Sequence, residues 1–241
     1  MYKTIIITLL LFQSLDSFGL TGDEILEKVD EIRSPGGSYS FNIDVKNYRK
    51  NKETINKLKV YVREYKNSIA KWESPKRAIG QALLMVDDDM WLYLTTTQRA
   101  IRISPRQKLM GQVSYGDVLK VVFSLDYTSE IAGEEEVEER ECIKLDLKAK
   151  SKSSTYDKVV LWVDKKNHKP VKSDFYTKTG ILLKSLIYKE YKVMHGRERP
   201  SVLYFYDMLR KNEYSIVTYS NMKMKTLPSV YFQKNYLNRL R

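Results

Sequence analysis

The chain has 241 residues, with 42 Lys and Arg against 30 Asp and Glu, and a formal net charge of +12. Hydrophobic residues make up 42% and charged residues 30% of it, a composition that excludes a disordered tail and a polytopic membrane protein. The single cysteine, Cys142, excludes an internal disulfide and multi-cysteine metal sites, and two histidines offer little material for a metal centre. We therefore expect neither a metal nor a cofactor.

The first nineteen residues have the pattern of a secretory signal peptide. Lys3 supplies a positive start, residues 5–12 are almost entirely apolar, and Ser17 and Gly19 are the small residues of a cleavage site. Eight helical residues rise only about 12 Å, well short of the roughly 30 Å hydrocarbon core. We expect this leader to be removed during export, leaving residues 20–241 as a single domain. An uncleaved anchor or a buried first strand is the alternative.

A helix is predicted directly after the leader. Thr21 and Glu24 have the spacing of a capping box. Apolar residues then recur on one helical face at Ile25, Val29 and Ile32. Residues 34–37, Ser-Pro-Gly-Gly, form a stop-and-turn cluster, so the helix is expected over residues 21–33.

Strands dominate the rest of the chain. Apolar and polar residues alternate with a period of two, as in residues 39–45, 58–63 and 159–163, which is typical of half-buried strands. Turn signals separate these runs at intervals of about 8–12 residues. The pattern predicts a mainly β fold, an antiparallel sandwich or barrel of about eleven strands, and nothing in the spacing resembles a βαβ unit.

Three segments need separate interpretation. Residues 105–125 are mixed and alternate poorly, so we expect an insertion or lid there. Residues 134–141 contain six glutamates, and we expect a solvated loop leading into a strand. The three carboxylates at residues 87–89 are interpreted as a hairpin turn and not as a metal site, because consecutive carboxylates on a tight turn point in different directions.

The sequence disfavours an enzyme. It contains no nucleophile elbow, no His-Glu-x-x-His motif and no glycine-rich phosphate loop. His168 and His195 lie in expected turns, and Cys142 stands at a strand start, where a packed small side chain is the simpler interpretation. We therefore expect no catalytic residues.

The basic charge raises the question of a polyanionic partner. Lysine and arginine are spread over every strand and turn without an arginine-rich segment, which disfavours nucleic acid. Attraction to an anionic lipid surface suits an exported protein of charge +12 better, and a merely solvated surface is the alternative. The 18 Tyr, 7 Phe and 3 Trp could line an apolar cavity in a curved sheet, although composition alone favours an ordinary packed core.

The central hairpin carries a family resemblance. Residues 84–94, LMVDDDMWLYL, resemble the L-x-V-x-D-D-x-W-x-Y-x-P hairpin of the outer-membrane lipoprotein-sorting, LolA-like family. The likeness continues through residues 99–112, as in the larger branch of that family, and through the strand and turn of residues 161–170. Residues 227–237 are similar to its closing segment, whereas Thr95 stands where the family commonly has proline. The resemblance covers nearly the whole chain after the leader.

The resemblance implies a half-open antiparallel β-barrel whose concave apolar face is covered by helices. It implies a periplasmic, non-enzymatic carrier that shields acyl chains of lipoproteins or lipids, with the helix at 21–33 and the insertion at 105–125 as covers. Large aromatic residues in predicted strands are the candidates for the cavity lining: Trp72, Trp91, Tyr93, Trp162 and Phe175. They are chosen by strand position and size alone.

The resemblance leaves three points open. An inner-membrane exporter is a candidate partner. The alternative function is a periplasmic accessory or sensor protein that binds a membrane exporter or another protein partner through the same barrel. The family carrier uses an arginine near its lid to hold the closed state, but Arg63, Arg77 and Arg99 are equal candidates here and none is assigned. We expect a monomer, since no coiled-coil segment is present. Peripheral membrane contact is a separate expectation.

Overall fold

A computed structural model describes residues 19–239 of the chain. The predicted leader, residues 1–19, therefore lies outside the described residues except for Gly19. Within this range, no helix combines the length and apolar character that a membrane crossing requires.

Fifteen strands and three α-helices make up the described chain. The first six strands are β1 (Ser38–Arg49), β2 (Lys52–Arg63), β3 (Asn67–Ser74), β4 (Ala82–Val86), β5 (Asp89–Leu94) and β6 (Arg99–Ile103). A short ribbon follows, formed by β7 (Lys108–Met110) and β8 (Val113–Ser114). The last seven strands are β9 (Tyr127–Val137), β10 (Arg140–Ala149), β11 (Lys158–Asp164), β12 (Pro170–Tyr176), β13 (Leu182–Met194), β14 (Arg197–Asp207) and β15 (Tyr214–Met224). The helices are α1 (Gly22–Arg33), α2 (Tyr115–Leu119) and α3 (Phe123–Asp126), and 3-10 turns at Ser229–Phe232 and Lys234–Arg239 close the described chain.

Thirteen of the strands form one antiparallel sheet. Its order is β6-β5-β4-β3-β2-β1-β15-β14-β13-β12-β11-β10-β9, so two meanders are joined where β1 pairs with β15. This pairing sets Val45 opposite Val217. Strands β6 and β9 are the two ends of the order and do not pair, so the sheet is open. The half-open antiparallel architecture is thus confirmed, but with thirteen strands in the sheet and two in the ribbon, where about eleven strands were predicted.

The extra strands come partly from the glutamate-rich segment, where the prediction of a solvated loop was wrong. Residues 134–137 belong to β9, and residues 140–141 belong to β10. Lysines on neighbouring strands and turns balance the glutamates: Lys165 pairs with Glu134 at 2.5 Å, and Lys144 pairs with Glu135 at 3.2 Å. The segment carries no apolar alternation because both faces of this edge strand are exposed, and its charges guard the edge against pairing with another chain.

Helix α1 forms as the capping box predicts. The Glu24 backbone N–H donates to the Thr21 hydroxyl at 3.3 Å, and the Thr21 N–H donates to the Glu24 carboxylate at 2.7 Å. The helix lies across the concave face of the sheet and buries Ile25, Leu26 and Val29 there. The main core is therefore the layer between the concave face and its covers.

Arg199 attaches the end of α1 to strand β14. Its guanidinium donates to the carbonyls of Glu31 at 2.8 Å and Ile32 at 3.0 Å, and to the carbonyl of Met194 at 3.1 Å. The Glu31 and Ile32 carbonyls are among those that the last helical turn leaves without partners, and a cation there also suits the helix dipole. The Arg199 residue is only 2% exposed, so the bonds form away from water.

We expect Arg199→Met to lower the free energy of unfolding by about 2–3 kcal/mol, because buried carbonyls lose charged donors. Urea unfolding measures the change. Arg197 offers a matched control on the same strand, since its exposed guanidinium only reaches the Glu31 carboxylate at 3.3 Å. Arg197→Met should cost less than about 1 kcal/mol. Equal costs for the two substitutions would contradict the capping role.

Candidate functional site

The concave face of the sheet is an apolar surface covered by two separate segments. One cover is α1, and the other is the insertion of residues 104–126, which carries the ribbon, α2 and α3. The insertion was predicted at nearly these positions. It buries Val118, Leu119 and Phe123 against the sheet. Neither cover belongs to the thirteen-stranded sheet, so side chains make most of their attachment to it.

Cavities of two sizes lie between the insertion and the sheet. Two larger ones, of about 270 Å³ and 240 Å³, adjoin Met85 and Lys184 respectively. Two small ones have volumes of about 30 Å³ and 40 Å³. Arg33, Asp117, Leu203 and Tyr219 line both of them, so the two cavities are neighbours under the same cover. Sites for drug-sized ligands usually have volumes of about 300–1,000 Å³, and none of these cavities reaches that range. We call this conformation, with both covers on the sheet, the closed state.

A buried lysine lies under the insertion. The Lys184 ammonium is surrounded by three aromatic rings, with centroids at 4.8 Å for Tyr156, 5.0 Å for Phe175 and 4.7 Å for Phe205. It donates to the Gln112 carbonyl at 2.9 Å and to the Asp117 carboxylate. Cation–π contact and an ion pair thus replace the water that the ammonium loses. Burial lowers the pKa of Lys184, and the Asp117 charge opposes that shift.

Asp117 links this lysine to the insertion. Its carboxylate accepts the Ser114 backbone N–H at 2.7 Å, which caps α2, and the Tyr156 hydroxyl at 3.1 Å. Burial and the Asp117 charge raise the pKa of Tyr156. One carboxylate therefore joins the α2 cap, the sheet lysine from β13 and a tyrosine between β10 and β11. We call this group the Lys184 cluster: Lys184, Asp117, Tyr156, Phe175 and Phe205.

Asp30 links the two covers to each other. Its carboxylate accepts the backbone N–H groups of Phe123 and Ser124, both at 2.7 Å, and so caps α3. Arg33 pairs with Asp30 at 3.4 Å, and its guanidinium lies 3.8 Å from the centroid of the Phe123 ring. Burial raises the pKa of Asp30, whereas Arg33 and the two backbone donors act to lower it. The closed state thus depends on a second buried carboxylate.

The five predicted lining residues fall on both faces of the sheet. Trp72 and Phe175 lie in the core on the concave side. Trp91 and Tyr93 pack on the other face, where Phe232 and Leu237 of the closing 3-10 turns cover them. We therefore leave these two out of the lining proposed below.

Trp162 also lies outside the concave core, in a small cluster with Cys142, Val160 and Val171. Its indole N–H donates to the Glu135 carboxylate. Trp162 is left out of the proposed lining for this reason. The burial of Cys142, which is 1% exposed, confirms that it is a packed small side chain.

The charged residues at the covers were missed by the sequence analysis. None of Arg63, Arg77 and Arg99 lines the two small cavities, whereas Arg33 lines both. The one available signal was Lys184, which shares its strand face with Leu186 and Tyr188 and so interrupts an apolar series. Within residues 19–239, no group of three or more His, Cys, Asp or Glu side chains is arranged to hold a metal ion.

Comparison with known proteins identifies the family to which this fold belongs. A protein-family model described as "Uncharacterized protein" matches residues 64–239. Among solved structures, the LolA superfamily protein NE2245 from Nitrosomonas europaea is 34% identical, with a TM-score of 0.85 over 90% of this chain and 100% of that protein. The chain therefore belongs to the LolA superfamily.

Two more distant structures share the fold. A domain from Vibrio parahaemolyticus described as outer membrane lipoprotein-sorting is 24% identical, with a TM-score of 0.76 over 90% of this chain and 98% of the domain. A DUF1329 family protein from Desulfovibrio piger is 22% identical, with a TM-score of 0.77 over 90% of this chain and 97% of that protein. No curated protein matches the chain.

We expect Lys184→Met to destabilise the closed state by about 3–5 kcal/mol, because Asp117 is left as a buried, unpaired charge. The double variant Lys184→Met/Asp117→Asn should recover more than half of this loss, and urea unfolding of the single and double variants measures the coupling. Lys158→Met is the control, since the Lys158–Asp146 pair at 2.7 Å is exposed. A cost for Lys184→Met below about 1 kcal/mol would contradict the assignment.

Proposed function

We propose that the chain is a periplasmic, non-enzymatic carrier that shields acyl chains of lipoproteins or lipids on its concave face during transport to the outer membrane. One observation carries this proposal: the concave face is largely apolar, with Lys184 as a buried exception, and it is covered by segments that side chains hold in place. Membership of the LolA superfamily supports the same function. Export through the predicted leader at residues 1–19 is part of the proposal.

Cargo would replace the covers on the apolar face. The two small cavities do not accommodate an acyl chain, and the two larger ones, of about 270 Å³ and 240 Å³, stay below the usual volume of a ligand site. Either α1 or the insertion therefore has to move first. The residues exposed by that movement are mostly apolar or aromatic and come from five strands of the sheet, β1, β3, β12, β13 and β14. The proposed lining consists of Phe41, Trp72, Phe175, Leu186, Leu203 and Phe205.

The magnitudes favour such an exchange. Burial of an acyl chain contributes about 0.8 kcal/mol per CH₂, so about fifteen CH₂ groups contribute roughly 12 kcal/mol before other costs. A hydrogen bond to a charged group contributes only about 1.5–3 kcal/mol. Cargo burial therefore exceeds the cost of breaking a few such bonds, and the remainder is available to offset the apolar contact that the moving cover loses.

We expect Asp30→Ala to increase the apparent affinity for a fluorescent long-chain acyl probe by about ten-fold or more, because the capped end of α3 is released and the open fraction rises. Fluorescence titration measures the affinity. Urea unfolding of the same variant should show a loss of stability, since two backbone N–H groups lose their acceptor.

Glu27→Ala is the matched control for this experiment, since Glu27 is an exposed carboxylate on the same helix. It should leave probe affinity unchanged. Weaker probe binding by Asp30→Ala, with the fold intact by circular dichroism, would contradict the role of Asp30 in closure.

The direct test is native mass spectrometry and lipid extraction of protein isolated from the periplasm of its host. We expect near-stoichiometric phospholipid or acylated peptide on a mature chain that begins at Leu20. Lipid-free protein in several gentle preparations would count against the carrier. Stoichiometric recovery of a membrane exporter with lipid-free protein would instead favour the accessory or sensor function.

A further inference from the structure

The turns between strands lie along two opposite edges of the sheet, one at each end of the strands. These two edges differ strongly in charge. We define the basic edge as the six turns β1–β2, β3–β4, β5–β6, β10–β11, β12–β13 and β14–β15, with the strand residue on either side of each. They carry twelve Lys and Arg and three carboxylates. The opposite edge is defined in the same way from the turns β2–β3, β4–β5, β9–β10, β11–β12 and β13–β14. It carries seven Lys and Arg and seven carboxylates.

The carboxylates of the basic edge are shielded. The side chains of Asp207 and Glu213 are only 3% and 9% exposed, and Asp157 pairs with Arg106 at 2.9 Å. In contrast, the Lys178 and Lys211 ammonium groups make no ion pair among the described residues. Arg49 and Arg210 pair with Glu213, and Lys158 pairs with Asp146. The edge nevertheless keeps an excess of nine cations over carboxylates, and Lys178 and Lys211 are among its exposed ones.

Apolar side chains project from two neighbouring turns of the same edge. Ile181 in the β12–β13 turn is 53% exposed, and Met208 and Leu209 in the β14–β15 turn are 49% and 63% exposed. The Met208 backbone N–H donates to the Leu183 carbonyl at 3.2 Å, which holds the second turn beside the start of β13. We call Ile181, Met208 and Leu209 the apolar tip.

Tyrosines lie at the strand ends next to this tip. Tyr48 stacks on Tyr214 with ring centroids 4.7 Å apart, and Tyr206 lies 6.1 Å from Tyr214. Tyrosine rings are enriched at the boundary between hydrocarbon and water, because one end is apolar and the other is polar. Lysine stems next to them can extend along the same boundary.

We propose that the basic edge is the surface by which this protein docks on an anionic lipid membrane, with the apolar tip inserted among the headgroups. Charge complementarity and the apolar side chains act together: the lysines draw the edge to the surface, and Ile181, Met208 and Leu209 make the contact that charge alone does not provide. Docking would be reversible, since three partly exposed side chains bury little area.

Co-sedimentation with phosphatidylethanolamine vesicles, with and without phosphatidylglycerol, tests this surface. Unmodified protein should bind the vesicles that contain phosphatidylglycerol, and rising salt should weaken the binding. Lys178→Gln/Lys211→Gln should weaken it by about ten-fold or more. Met208→Ser/Leu209→Ser should also weaken the binding, and the size of this loss should depend less on salt concentration than the loss caused by the lysine variant.

The opposite edge supplies matched controls. Lys66→Gln/Lys166→Gln removes two lysines there, and Val193→Ser removes an apolar side chain next to this edge that is 74% exposed. Both should bind vesicles as the unmodified protein does. Equal binding to vesicles without phosphatidylglycerol, or equal losses in variants of the two edges, would overturn the proposal. Binding of an acidic protein without vesicle binding would also overturn it.

This docking surface is independent of the proposed cargo. Lys178→Gln/Lys211→Gln leaves the concave face unchanged, so this variant should bind the acyl probe as the unmodified protein does. Vesicle binding with no acyl binding would support the docking surface and contradict the carrier. Acyl binding with no vesicle binding would support the carrier and contradict the docking surface.

Discussion

The sheet does not close on itself, and this constraint governs the rest of the structure. Pairing of β1 with β15 joins two meanders into a curved surface, but β6 and β9 do not meet. A closed barrel could fill its interior with side chains from all around the wall. This open one leaves an apolar concave face that has to be covered from outside, and α1 and the insertion take that position.

The covers are attached to the sheet by other interactions than those that join its strands to one another. Strands are joined by continuous backbone pairing, whereas the covers depend on apolar contact and on a few buried ions: Asp30, Arg199 and the Lys184 cluster. A buried ion pair stabilises little over an apolar pair of similar size, but it fixes geometry, because a misplaced partner leaves a charge without compensation. The ions thus define where each cover lies more than they add to overall stability.

Local patterns made most of this fold predictable, and the two faces of the sheet did not follow from them. The capping box of Thr21 and Glu24 and the alternation along the strands depend on neighbours in sequence. A period of two, however, says only that Trp91 and Leu92 lie on opposite faces, and not which one is concave. Leu92 packs with the concave core and Trp91 packs under the C-terminal turns. That choice depends on the curvature of the whole sheet and on which segment covers each side.

The same reasoning explains why the charged residues at the covers escaped prediction and why their strength matters. Lys184, Asp117 and Asp30 come from segments distant in sequence, so their pairing exists only after the insertion folds over the sheet.

If these bonds were much stronger than the gain from burying an acyl chain, the covers would never yield to cargo. If they were much weaker, the apolar face would be exposed to water and to other chains. For the carrier that we propose, a few buried ions of modest net contribution keep the closed state preferred and still leave it within reach of displacement by an acyl chain.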